Sequence, residues 1–164
     1  MTPNPTSQAA LTIVIPVLNE NQSLHDTIDI LMRDNATQIA EILLVTHPTR
    51  TLPESLEAIQ QVIAAHPNVI RQITQNMPFV GGAIRTGLAA ARAPWTLMMA
   101  CDGETDPALV KSMLAALVQT NADMITASRW IAGGSFTGYG WLKRTCNAPN
   151  TPRTTNRTVG SRIR

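Results

Sequence analysis

The chain has 164 residues, of which 44% are hydrophobic and 15% charged; this excludes a disordered chain and leaves room for one domain with a real core. Its net charge of +2 is uneven: from Lys143 onward there are six Lys or Arg and no acid, so residues 1–142 hold seven bases against eleven acids, a net of −4. A basic nucleic-acid-binding stripe across the domain is thereby excluded. No apolar run approaches the ~20 residues that span a bilayer, and the N-terminus MTPNPTSQAA has neither the basic start nor the apolar core of a signal peptide. Cys101 and Cys146 make no disulfide framework, and the reading is a cytoplasmic chain.

Residues 1–10 are expected to be flexible. LTIVIPV (11–17) is a short apolar, β-branched run and reads as a buried strand. Asn21 can cap the following helix, whose Leu24, Ile28 and Leu31 share one face. EILLVT (41–46) is a second strand, and TLPE (51–54) has the spacing of a capping box, Thr51 at the cap and Glu54 three residues on. That helix carries Leu56, Ile59, Val62 and Ile63 as its apolar stripe, and NVIRQIT (68–74) is a third, weaker strand. GGAIRTGLAAAR (81–92) is a helix led by two glycines, and WTLMMA (95–100) is a fourth strand. Asp106 can cap the next helix with Pro107 at its first position, and Val110, Met113, Leu114 and Leu117 line its inner face. ADMITASR (122–129) reads as a fifth strand. Alternation of strand and helix predicts an α/β fold with a mainly parallel sheet between two helical layers. Right-handed crossovers then bring the C-terminal ends of the strands to one edge, where ligands bind. After Arg144 the chain is rich in Thr, Arg, Asn and Pro without apolar period, so residues 145–164 are expected to form a disordered basic tail.

Chemistry is sought at that edge. In CDGETDP, Asp102 and Glu104 stand two apart; in extended backbone such residues point the same way. Two carboxylates with open positions suit Mg2+ or Mn2+, water and a diphosphate completing the shell. The competing reading is a solvated turn, and for Asp106 a helix cap is preferred. Gly81 and Gly82 at a helix start suit an anion, with Arg85 one turn on; the alternative is a glycine turn that lets the helix pack on the sheet. VIPVLNE ends the first strand with Asn19 and Glu20, which suit a base or ribose or make an ordinary turn. Arg129 stands at a strand end before the glycine-rich, aromatic loop IAGGSFTGYGW, positioned to meet phosphate charge or to lie on the surface. His25, His47 and His66 are scattered and are expected on the surface rather than as ligands.

In this order, VIPVLNE, GGAIRTG, CDGETDP and ASRWIAGG resemble the family 2 glycosyltransferases of the GT-A fold, most of all their polyprenyl-phosphate mannosyl- and glucosyltransferase branch. The likeness covers roughly residues 10–144, so 11–144 is expected to be a donor-binding domain. The resemblance implies a three-layer α/β/α, Rossmann-like nucleotide-diphospho-sugar transferase domain. It implies sugar transfer from a UDP- or GDP-linked donor to a polyprenyl phosphate at the inner face of the membrane, in cell-envelope glycan synthesis. Carried over by position, Asp102 and Glu104 hold the metal. Pro16, Asn19 and Glu20, with Asp102, line the nucleotide pocket; Gly81, Gly82 and Arg85 lie near the donor; Asp102 and Arg129 are the catalytic pair.

Three departures accompany the resemblance. The family's Asp-x-Asp reads Ala100-Cys101-Asp102 here. The strand ending at Thr46 usually leads into paired aspartates that hold base and ribose, and this chain has THPTR instead. The family usually continues past Arg144 with elements that receive the acceptor, so the domain is expected to be incomplete, its end displaced by truncation or a frameshift. Two other readings stand beside the enzyme: an inactive nucleotide-sugar-binding fragment, and a nucleotidyltransferase. The latter prefers a glycine- and arginine-rich loop after the first strand, which VLNENQS does not supply.

Overall fold

A computed structural model describes residues 10–102 and 105–127. Glu104, Arg129, the aromatic loop and the tail after Arg144 lie outside the described residues. Four strands and four helices alternate: β1 (Leu11–Val17), α1 (Gln22–Asn35), β2 (Ile39–Thr46), α2 (Pro53–Ala65), β3 (Ile70–Thr74), α3 (Phe79–Ala90), β4 (Trp95–Met98) and α4 (Leu109–Thr120). The strands form one sheet in the order β3-β2-β1-β4, and every pairing is parallel.

The register explains the burial. β1 and β2 lie inside, covered on both faces, so both read as unbroken apolar runs rather than alternating ones. One set of side chains on β1, including Ile13, Ile15 and Val17, packs with Leu24, Ile28 and Leu31 of α1, Ile59 and Val62 of α2, and Val110 and Leu114 of α4. The opposite set meets α3, where Ala83 packs on Val14, Leu43 and Val45. The result is the three-layer α/β/α arrangement expected from the alternation. Gly87 belongs to this second contact, since a Cβ there would overlap Val14 Cγ1. β4 is short, and Thr96 and Met98 on its α3-facing side are exposed.

Local details depart from expectation in five places. Ala10 is already inside the domain, 2% exposed and with its N–H donating to Gln38 O. The α2 capping box does not form: Leu52 is the cap, and Thr51 and Glu54 make no cap bond. The Thr51 hydroxyl instead donates to Val17 O (3.1 Å) and accepts the His47 N–H (2.8 Å). α3 begins two residues earlier than expected, at Phe79, so the glycine pair falls in its first turn. Residues 122–127, expected to begin a fifth strand, are not in a strand, and the sheet of the described residues has four. At α4 the cap is Ala108 rather than Asp106, and Pro107 precedes the helix: Asp106 instead shapes the turn before it, its Oδ1 accepting the Ala108 N–H (3.0 Å) and its carbonyl the Leu109 N–H (3.1 Å).

Candidate functional site

Parallel pairing puts the ends of β1, β2, β3 and β4 on one edge of the sheet. β1 pairs with β4 only as far as Val14↔Met98. Met99 N–H then donates to Val14 O, and the chain runs on past the end of β1 to Asp102. Pro16, which cannot donate to a ladder, falls beyond the last β1–β4 pair. A cleft of ≈ 680 Å³ opens at this edge, within the size range of small-molecule sites. A separate hollow of ≈ 110 Å³ beside β4 and α4 is lined mostly by apolar side chains and lacks converging polar groups.

The cleft gathers four of the predicted residues, Pro16, Asn19, Glu20 and Asp102, and Ala100 and Thr105 lie beside them. Glu20 is partly committed to its own turn: Oε2 accepts the N–H of Leu18 (2.7 Å) and of Asn19 (3.0 Å). Cys101, next to Asp102 in the chain, is 1% exposed. Burial first, then the negative charges of Glu20 and Asp102, push its thiol up to about 12. Cys101 is thus a buried thiol that favours its protonated form.

Gly81, Gly82 and Arg85 do not line the cleft. Gly82 is buried because a Cβ there would overlap the Met77 carbonyl, and Gly81 and Arg85 are exposed. For Gly82 the packing explanation is the one the geometry supports. Instead, the α3 side of the cleft is an apolar wall of Phe79, Val80, Ile84 and Met98. Phe79 is 77% exposed and holds a left-handed φ of 64°, a conformation that costs a bulky residue roughly 1–3 kcal/mol. Gln75 braces it, Nε2 donating to Met77 O (2.6 Å) and Phe79 O (3.3 Å).

The wall at the end of β2 was missed in the sequence. His47, read as a surface residue, lines the cleft together with Arg50. The His47 ring accepts two backbone N–H groups at Nδ1, from Thr49 and Arg50, both at 3.1 Å. The signal that could have found it was position: His47 directly follows a strand at the ligand edge.

A hard divalent cation fits this donor set in part. Asp102 supplies an oxygen at the cleft, and Mg2+ is commonly held by one or two carboxylates with substrate phosphates completing its shell. Among the described residues no three His, Cys, Asp or Glu cluster as a metal-binding group.

The family model for glycosyl transferase family 2 matches residues 12–163, nearly the whole sequence, and the chain belongs to that family. Among solved structures, the mannosyltransferase PcManGT from Pyrobaculum calidifontis, in complex with GDP-Man and Mn2+, is similar with a TM-score of 0.58 and 17% identity. The similarity covers 77% of this chain and 38% of that one, so the chain spans well under half the length of this neighbour. It establishes the shared fold, the GT-A type expected above. No curated protein matches in sequence.

Proposed function

We propose that the cleft binds a nucleoside diphosphate sugar and that the chain contributes the donor half of a glycosyl transfer to a polyprenyl phosphate at a membrane surface. The observation that carries this reading is the convergence of Asn19, Glu20 and Asp102 on one cleft at the C-terminal edge of a parallel sheet, in a family 2 chain. The neighbour's GDP-Man and Mn2+ support the ligand class. Among the described residues no helix is long and apolar enough to cross a membrane, and the proposed acceptor is met at the surface.

In this reading Asp102, with Glu104, holds Mg2+ or Mn2+, which when bound offsets charge on the diphosphate. Asn19 and Glu20 position the nucleotide, Glu20 by fixing the turn that carries Asn19. Arg129 is assigned to phosphate charge, and the exposed Gly81 and Arg85 to the outer donor environment, Gly82 serving the packing of α3 on Met77. An anionic phosphate acceptor needs little help from a general base, so holding donor and acceptor in line supplies much of the acceleration.

Titration with UDP-glucose and GDP-mannose, with and without Mn2+, followed by turnover on a polyprenyl phosphate, tests the proposal. Metal-dependent binding with turnover is the expected outcome. Binding without turnover identifies a donor-binding fragment, and binding of neither donor overturns the reading.

A further inference from the structure

The proposed function leaves the base open, and the wall at the end of β2 addresses it. Two contacts fasten this wall to the first strand: Thr51 hydroxyl to Val17 O (3.1 Å), and Leu52 N–H to Leu18 O (2.8 Å). A third bond, Gln75 N–H to Thr46 O (2.8 Å), closes the side toward β3. The carbonyls of Val17, Leu18 and Thr46 are thus each engaged by a donor of the protein. Glu20 Oε2 is engaged by Leu18 and Asn19. These backbone acceptors are engaged, while Glu20 keeps Oε1 and Gln75 its amide oxygen on the neighbouring parts of the cleft.

The end of β2 offers donors. His47 accepts backbone N–H groups at Nδ1, so its ring proton sits on Nε2, and that N–H is the polar atom the ring can offer a cleft occupant. Arg50 lines the same cleft, is exposed, and makes no ion pair among the described residues. Asn19 brings an amide, which reads either polarity, whereas Gln75 Nε2 is committed to Met77 O and Phe79 O, so its side chain offers an acceptor. At the end of β2 itself, the side chains that face the cleft are two donors, one of them a guanidinium fork.

Resting on the nucleotide-sugar reading, we infer that His47 and Arg50 select guanine by its adjacent acceptors O6 and N7. A guanidinium meets that pair with two parallel hydrogen bonds, and the pairing is a common specific contact to guanine. Uracil has no two adjacent acceptors: its O4 is flanked by N3–H and C5–H, so the fork keeps one N–H unpaired. Discrimination follows from the unpaired group the wrong base would bury. The turn is held by its own hydrogen bonds before any ligand arrives, so little ordering is required on binding.

Calorimetric titration of the full chain in the presence of Mn2+ with GDP, UDP and 7-deaza-GDP, which lacks N7, tests the inference. GDP is expected to bind about tenfold or more tighter than UDP, with 7-deaza-GDP weaker than GDP by several-fold. Arg50→Ala should collapse the gap between GDP and UDP while leaving affinity for inorganic pyrophosphate and the melting temperature unchanged. His47→Asn keeps a side-chain oxygen to accept the Thr49 and Arg50 N–H groups and lacks the ring donor; it too should weaken GDP selectively. UDP binding as tightly as GDP, or 7-deaza-GDP matching GDP, overturns the inference and leaves the nucleotide-sugar reading standing. A fall in pyrophosphate affinity equal to that for GDP in Arg50→Ala overturns it too, by placing the guanidinium on phosphate. Binding of neither nucleotide overturns both.

Discussion

The two edges of the sheet use polar side chains in opposite ways. At the N-terminal edge, Glu41 is buried and tied to distant parts of the chain. Its Oε1 accepts the Thr12 hydroxyl (3.0 Å) and the Arg92 N–H (2.7 Å), and its Oε2 accepts Arg71 Nε (3.0 Å). Thr12 Oγ1 in turn accepts the Ala93 N–H, and Arg71 donates to Ala90 O. These bonds span 19 to 81 residues of sequence and join three strands to the α3–β4 connection. At the C-terminal edge, Glu20, His47 and Gln75 reach only one to four residues along the chain, each shaping its own turn. Long-range bonds close one edge and hold the strands in register. At the other edge, long-range bonds such as Thr51 to Val17 anchor the loops, while the cleft-lining Glu20, His47 and Gln75 side chains shape only their own turns and leave space between them for a ligand.

That contrast can be broken most forcefully at Glu41. Glu41→Ala strands Arg71 and leaves the Thr12 hydroxyl and Arg92 N–H without their acceptor, an expected loss of about 3 kcal/mol. Urea unfolding checks it. A loss below about 0.5 kcal/mol would place the residue among ordinary surface substitutions and remove the distinction between the edges.

At the opposite edge the expected loss is in affinity rather than stability. Asp102→Asn should weaken metal-dependent binding of a nucleotide sugar by about tenfold or more, the scale seen when groups supporting a metal are removed. Asp106→Asn should leave binding unchanged, because Asn replaces Asp well at a helix start. Equal effects of the two substitutions on the binding isotherm would end the metal assignment to Asp102.

A smaller effect, graded with pH, sharpens the description of the N-terminal edge. Burial alone would raise the Glu41 carboxyl, but hydrogen bonds from Arg92 N–H, Arg71 and Thr12, with the Arg71 charge, outweigh it and hold the group below its ordinary 4.5. A carboxyl lowered by folding stabilises the protein above its unfolded pKa, and this contribution fades as pH falls through the folded one. The stability of the protein relative to Glu41→Gln should therefore be largest near neutral pH and shrink on acidification below 4.5. Chemical unfolding at a series of pH values checks the sign, and a difference that grows toward low pH would contradict it.

Much of the fold could be read from periodicity. Leu24, Ile28 and Leu31 on α1, and Val110, Leu114 and Leu117 on α4, are buried as their spacing predicts. The capping box at Thr51 failed for a reason no local pattern contains: the hydroxyl found partners in Val17 and His47, brought close by β1 and β2 pairing. The position of His47 at the cleft was not legible either. Its type and neighbours are those of a surface loop, and only the parallel pairing of β2 with β1 turns that loop toward the cleft. Glu20 lines the cleft, as its place after β1 suggests, but its bonds to Leu18 and Asn19 show a carboxylate occupied in part by its own turn.

Four of the five expected strands, the inward faces of α1 and α4, and the gathering of polar residues at one edge could be read from the sequence alone. Burial follows the repeat of the backbone, and parallel pairing brings the strand ends together. Which polar atoms remain for a ligand was decided by tertiary structure. A side chain's free valence is whatever its neighbours in space leave unpaired, and at the ends of β1 and β2 those neighbours consume acceptors and leave the His47 and Arg50 donors to the cleft.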